Sequence, residues 1–289
     1  LTELHSERDA PLTGTTAGRA HAPGTSAAKA RRWGSFYYAE HVLRVFRGYA
    51  MSILLYSVGM PVAYLFAMGV GLATLVDANQ AAAFGGVSYL AFIAPALLVS
   101  AAVMTSSGEF SYPVMAGFKW RRTYYGPHAS PLVPQQIAVG HIMAVTLRLL
   151  FQSAAYLGIM ALFGASPSPW GWVSIPVATL SGLAFGLPLM AYSASLKQDK
   201  GQFALVQRFI VTPLFLFSGT FFPLDTLPLA VRWIGWISPV WHGTELGRVF
   251  SYGYDEDPLL TIGHVVFLLA CAGVGWTLTQ RCFVRRMGT

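Results

Sequence analysis

Between Ile137 and Phe163 an otherwise apolar run carries His141, Arg148, Gln152 and Tyr156 at i, i+7, i+11 and i+15, a spacing that puts all four on one stripe of a helix. At 1.5 Å per residue Arg148 lies roughly 16 Å from Ile137, near the middle of a bilayer, where an arginine costs about 2.5 to 3.5 kcal/mol on insertion scales. Something must offset that cost: a buried carboxylate, backbone carbonyls or a water-filled lumen. Two roles stay open on the residues alone. Arg148 is either an interhelical hydrogen-bond post assisted by Gln152, or a pore-lining group that meets an anionic or sugar-bearing substrate.

Other chemistries lack their residues. The chain has no G-x-x-x-x-G-K-[ST] phosphate loop, no H-E-x-x-H, no C-x-x-C and no G-x-S-x-G, and no apolar run carries a carboxylate pair near its centre. This argues against ATP binding through a P-loop, an intramembrane protease, a metalloenzyme and a carboxylate-based antiporter. His242-Gly-Thr-Glu-Leu offers one His and one Glu, which reads as capping and interfacial hydrogen bonding, and Asp255-Glu-Asp-Pro lacks the glycine and spacing of a calcium loop. Cys271 and Cys282 form neither a disulfide framework nor a metal spacing. An enzyme acting on lipid or sugar would need acids or bases at one depth, and Glu109, Arg148 and Glu245 are expected at three.

The elements that must hold these side chains follow from composition. Of 289 residues 54% are hydrophobic and 11% charged, with a mean hydropathy of +0.52, whereas soluble domains average about 25% charged residues. Six runs are apolar enough to span: about 50–76, 87–107, 137–163, 172–196, 204–222 and 259–280. The basic residues sort by loop. Arg31, Arg32, Arg44 and Arg47 precede the first run, Lys119, Arg121 and Arg122 follow the second, Lys197 and Lys200 the fourth, and Arg281, Arg285 and Arg286 the sixth, while 77–86 and 164–171 hold no Lys or Arg. By the positive-inside rule both termini are cytoplasmic. The net charge of +7 therefore records topology and implies no nucleic-acid partner.

Residues 1–30 read as a flexible cytoplasmic tail without a signal peptide, rich in Ala, Gly, Thr, Ser and His. Over 31–49, Phe36, Ala39, Leu43 and Phe46 recur at helical spacing opposite Glu40, Arg44 and Arg47, and Trp33 adds an aromatic, which predicts a helix lying on the inner membrane surface. The connection 108–136 contains Phe118-Lys-Trp-Arg-Arg-Thr-Tyr-Tyr before Pro127, Pro131 and Pro134, a pattern for a short amphipathic helix with proline breaks. Residues 223–258 form an amphipathic stretch interrupted by Pro239. Neither half is long enough to cross, so the segment is expected to dip into the membrane and return, as backbone that lines a pathway does.

Several local patterns resemble ABC-2 type permeases, closest to the nodulation-factor (lipo-oligosaccharide) export permeases, with daunorubicin-resistance permeases more distant. They are Pro61-Val-Ala-Tyr-Leu-Phe-Ala-Met-Gly-Val-Gly-Leu, Val87-Ser-Tyr-Leu-Ala-Phe-Ile-Ala-Pro, and Leu214-Phe-Leu-Phe-Ser-Gly-Thr-Phe-Phe-Pro-Leu-Asp-Thr-Leu-Pro followed by Ile237-Ser-Pro-Val-Trp-His. Gly108-Glu-Phe departs from the family's Phe-Glu order. The resemblance implies an all-α polytopic membrane protein with six transmembrane helices, an N-terminal interfacial helix and a re-entrant segment between spans five and six. It also implies a second permease copy or paralogue, ABC ATPase subunits that carry the ATP and Mg, and no cofactor in this chain. Lys119, Trp120, Arg121, Arg122 and Tyr124 match the region that contacts the ATPase. The expected route is Arg148, Gln152 and Tyr156 with His141 on the same stripe, then Phe221, Phe222, Trp233 and His242 near the outer exit. The expected cargo is an amphipathic, lipid-linked or glycosylated molecule. The rivals are a drug-efflux permease of the same architecture, a membrane-embedded lipid- or sugar-modifying enzyme, and a passive channel or scaffold.

Overall fold

A backbone in hydrocarbon must satisfy its own hydrogen bonds, and a chain this apolar does so with helices. The computed structural model describes residues 23–80, 84 and 86–288, and no strand occurs among them. In chain order the helices are α1 (Pro23–Gly48), α2 (Ala50–Asp77), α3 (Tyr89–Glu109), α4 (Tyr112–Phe118), α5 (Tyr125–His128), α6 (Pro134–Leu162), α7 (Ser174–Ser195), α8 (Gln202–Phe217), α9 (Leu229–Trp236), α10 (Pro239–Tyr252) and α11 (Pro258–Met287).

Five helical stretches among the described residues are long and apolar enough to cross a membrane: α2, Tyr89–Phe118 across α3 and α4, α6, Gly171–Ser195 around α7, and α11. The run expected over 204–222 folds as the shorter α8. Its helix stops at Phe217 because Ser218 leaves helical geometry and Gly219 takes φ +72°, followed by Pro223. The proposed flexible tail is also shortened: residues 1–22 lie outside the described residues, and α1 begins at Pro23.

The core centres on α7, which packs against α3, α6, α10 and α11. Without a hydrophobic drive between helices in lipid, small residues and side-chain hydrogen bonds set such contacts. A Cβ on Gly186 would lie 1.9 Å from Ser106 Oγ, and the Ser106 hydroxyl donates to the Gly182 carbonyl at 2.6 Å. The Thr279 hydroxyl of α11 likewise donates to the Leu187 carbonyl at 3.0 Å.

α1 does more than lie on a surface. It docks across α6, where a Cβ on Gly140 would come within 2.5 Å of the Ser35 carbonyl oxygen and Gln136 Nε2 donates to the Arg31 carbonyl at 2.7 Å. The docked face is Tyr38 and Ala39 with Val42 and Phe46, so Phe36, expected on the apolar face with Ala39, instead stays 53% exposed beside Trp33. Arg44 pairs with Glu40 on the exposed side.

Candidate functional site

At one end of the bundle the α3–α6 connection folds into α4, a tight turn and α5. Lys119, Trp120, Arg121 and Arg122 are all exposed. They sit on a stiff base. The Arg121 and Arg122 amides both donate to the Ala116 carbonyl, Arg122 adopts φ 51°, and Tyr112 stacks on Trp120 while its ring edge meets Phe203 of α8. Phe118, just before this turn, is buried against Tyr124 and Phe283, with the Arg286 guanidinium 4.3 Å above its ring.

Tyr124 is a correction to the sequence reading, which grouped it with the exposed contacts. It is 1% exposed, and its hydroxyl is hydrogen-bonded to His141 Nδ1 at 2.8 Å. Burial pushes its phenol well above the usual value, so it stays neutral. Its place is beneath the basic turn, because the chain reverses after Arg122 and carries the ring inward. His141 is thereby a strut to this end.

Arg148 is a second correction. Its guanidinium ion-pairs with Glu109, the last residue of α3, so the depths expected to separate these two residues coincide at the side-chain tips. Side chains on a helix lean toward its N-terminus. Arg148 therefore reaches back along α6 toward the end where α3 stops, and its charge meets the carboxylate there. The offset that the sequence required is this buried acid together with the ring of Phe46, 5.3 Å from the guanidinium carbon. Arg148 also borders an apolar cleft of about 520 Å³ with Phe46, Arg47, Met51, Leu54 and Phe151, where α1 turns into α2 beside α6.

Gln152 and Tyr156 do come together. With Ser100, Tyr64 and Phe215 they line a small cavity of about 40 Å³ between α2, α3, α6 and α8. Gln152 Nε2 donates to the Ala101 carbonyl at 3.2 Å. Ser100 Oγ, Gln152 Oε1 and Tyr156 Oη are buried without a protein partner. Three polar atoms around a space of this size suit a bridging water. The four-residue stripe thus divides into an anchored His141, an ion-paired Arg148 and a polar pair inside the bundle.

At the other end, α9, α10 and the start of α11 enclose a cavity of about 480 Å³ walled by Phe92, Trp236, Trp241, Glu245, Arg248 and Glu256 among others. Arg248 is 2% exposed; it donates to Glu245 Oε1 at 2.7 Å and the Gly219 carbonyl at 2.6 Å, and lies 3.7 Å over the Phe92 ring. It ties α10 to α3 and to the turn that ends α8. The sequence reading did not single out Arg248. The signal was available in the i, i+3 spacing of Glu245 and Arg248 on one helical face.

The four residues expected near an exit scatter. Phe221 packs edge-on against Phe215 and its carbonyl accepts from the Tyr89 hydroxyl, Phe222 is half-buried, and Trp233 is 53% exposed with its indole donating to the Ala230 carbonyl. His242 is buried, stacked on Phe267 at 3.8 Å, and bonded to His264, which itself reaches the cavity wall. Phe221 and Phe222 stand in the turn after α8, Trp233 on α9 and His242 on α10, so the four do not come together in one lining.

The described residues thus form an all-helical bundle with several membrane-length helices, an N-terminal helix docked on it and a basic turn between two short helices. Residues 36–251 match the ABC-2 type transporter family, and the chain belongs to that family. It is similar to Nodulation protein J of Rhizobium meliloti (strain 1021), at 28% identity over 242 residues covering 82% of this chain and 87% of the relative. Nodulation protein J of Bradyrhizobium diazoefficiens is 24% identical over 262 residues, 90% and 95% of the two chains. The inner membrane transport permease YadH of Escherichia coli (strain K12) is 25% identical over 199 residues, 68% and 77% of the two chains. The chain is a multi-pass ABC-2 permease and a transport subunit, and the enzyme rival falls away.

Proposed function

We propose that the chain is the membrane-spanning permease of an ATP-driven exporter that moves an amphipathic, lipid-linked or glycosylated, molecule out of the cytoplasmic leaflet of the inner membrane. The observation that carries this reading is the exposed basic and aromatic turn Lys119–Arg122 set on a stiff, buried base. Relatives named as a nodulation protein and as an inner membrane transport permease support it. ATP and Mg bind a separate ABC ATPase, and a second permease completes the assembly. Six crossings are reached if α8 and the turn after it complete the fifth, with α9 and α10 re-entrant and both termini cytoplasmic.

The base of the turn gives the coupling a physical path. When the ATPase dimer closes and displaces residues 119–122, Phe118 presses on Phe283 of α11, and Tyr124 carries the displacement through His141 into α6. Close-packed side chains transmit such shifts between rigid helices. Gln152 and Tyr156 lie further along α6, where its reorientation alters the polar cavity that they share. Aromatic lining serves a drug as well as a glycolipid, so drug efflux is the second reading; a deletion strain with altered drug sensitivity and normal surface glycolipid favours it.

Purification of the tagged chain from native membranes in mild detergent, with mass spectrometry of what co-elutes at comparable stoichiometry, tests the proposal. A P-loop ATPase in the eluate is expected. Elution alone, with transport unaffected by Lys119→Ala and Arg121→Ala, contradicts it and leaves a channel or scaffold.

A further inference from the structure

Beside the 480 Å³ cavity, three titratable side chains from α10, α11 and the loop between them form one hydrogen-bonded row. His242 Nε2 lies 3.0 Å from the Trp236 carbonyl, His242 Nδ1 lies 2.6 Å from His264 Nδ1, and His264 Nε2 lies 3.0 Å from Glu256 Oε1. His242 and His264 are buried, with Phe267 stacked on one ring and Trp241 edge-on to the other.

Counting protons decides what this row requires. A carbonyl only accepts, so His242 Nε2 carries a hydrogen and, in the neutral ring, Nδ1 is a lone pair. His264 must then donate from Nδ1, which leaves its Nε2 as a lone pair facing a carboxylate oxygen. Three hydrogen bonds need three protons, and two neutral imidazoles bring two. The third is an added proton, held either as a His264 imidazolium against ionised Glu256 or on the Glu256 carboxyl. A bridging metal does not fit the spacing, since zinc at 2.0–2.1 Å from each nitrogen would hold them about 3.3 Å apart.

From α10 the row is faced by Glu245, Arg248 and Tyr252, from the following loop by Tyr254, Asp255 and Asp257, and from the turn before α9 by Asp225. The Arg248 guanidinium is paired with Glu245, and Arg232 of α9 donates to the Asp225 and Leu227 carbonyls at the edge of this neighbourhood. A second proton is disfavoured. Burial first, and then the charge on His264, hold His242 down to about 4, and two imidazolium rings would set N–H against N–H at 2.6 Å.

We infer that His242, His264 and Glu256 form a one-proton binding site that clasps α10, α11 and the loop between them when the proton is present; without it a neutral His264 has one N–H and can donate to His242 or to Glu256 but not to both, so one bond of the row is lost. Closing takes up a proton, so raising the pH opens the clasp and lowering it closes it. The site does not depend on what the permease transports.

Amide hydrogen exchange of the full-length chain in lipid nanodiscs, corrected for intrinsic rates and followed from pH 5.5 to 9, reads the clasp directly. Wild-type protection across α10 and the loop before α11 is expected to fall by up to about tenfold as pH rises, the worth of one net hydrogen bond. Glu256→Gln supplies the missing hydrogen from its amide, so it is expected to keep α10 protected with no pH step. His264→Leu is expected to leave α10 unprotected throughout, with α7 protection serving as the check on folding. If His264→Leu also exposes α7, the decision rests on Glu256→Gln, which keeps size and shape. A flat wild-type profile, or an unchanged pH step in Glu256→Gln, overturns the inference.

Discussion

The two ends of the bundle each bury an arginine against a glutamate, and the pairs are built differently. Arg148 joins α6 to α3 across 39 residues of sequence, with both side chains retaining 15–18% exposure. Arg248 joins Glu245 three residues away on one helix, is only 2% exposed, and spends its remaining donors on the backbone carbonyls of Gly219 in the α8 turn and Phe92 in α3. The first lies one step from the basic turn and the polar cavity, where a change of helix register would be felt. The second locks α10 into place. The contrast teaches that charge buried in a membrane bundle serves movement when it bridges helices near an edge, and rigidity when it is satisfied by its own helix and fixed carbonyls.

The largest effect that would sharpen this comparison belongs to Arg248→Ala, which strands Glu245 and frees the Gly219 carbonyl. A loss of about 3–5 kcal/mol is expected, as for a broken buried pair, read as a lower thermal midpoint in detergent; an unchanged midpoint breaks the comparison. Arg148→Ala should cost less, about 1–3 kcal/mol, because Glu109 keeps partial access to water. Under the exporter reading it abolishes substrate-stimulated ATP hydrolysis while assembly persists. Combining Arg148→Gln with Glu109→Gln should recover most of that stability without restoring stimulation, and restored stimulation would make Arg148 a structural post only. Tyr124→Phe keeps the ring between Phe118 and Phe283 and deletes the bond to His141, a loss of about 0.5–1.5 kcal/mol, with transport falling more than stability. Changing Lys119, Arg121 and Arg122 together to alanine should shift stability within about 0.5 kcal/mol and still remove ATP-driven transport. Stability and transport falling in parallel would deny the turn a separate coupling role.

Much of the fold was legible because hydropathy and loop charge act over long windows. Membrane-length runs and a helix before the first stood in the residues, whereas the short helix expected over Phe118–Tyr125 is a turn between helices at Tyr112–Phe118 and Tyr125–His128. What escaped depends on registers that periodicity does not carry. Glu109 meets Arg148 only because the end of α3 packs beside the middle of α6 and the arginine leans backward. Tyr124 turns inward because Arg122 takes a left-handed conformation that no spacing announces. The run ending at Phe222 read as a span since Phe217-Ser-Gly-Thr-Phe-Phe is apolar on average, yet Gly219 breaks it. His242 and His264 lie 22 residues apart on separate helices, and only their packing makes them one row. Gly140 was passed over as a helix glycine, although it is what lets α1 settle on α6.

Trp120 and Trp233 offer the most direct test of the central claim, since they are similarly exposed, at 50% and 53%, and sit at the two ends. A photo-reactive side chain placed at position 120 or position 233 of the full-length chain, irradiated in native membranes, captures whatever touches each end. The account predicts an adduct with a P-loop ATPase from position 120 and none from position 233. An ATPase adduct from position 233, or its absence from position 120 while the tagged chain still supports transport, would contradict it.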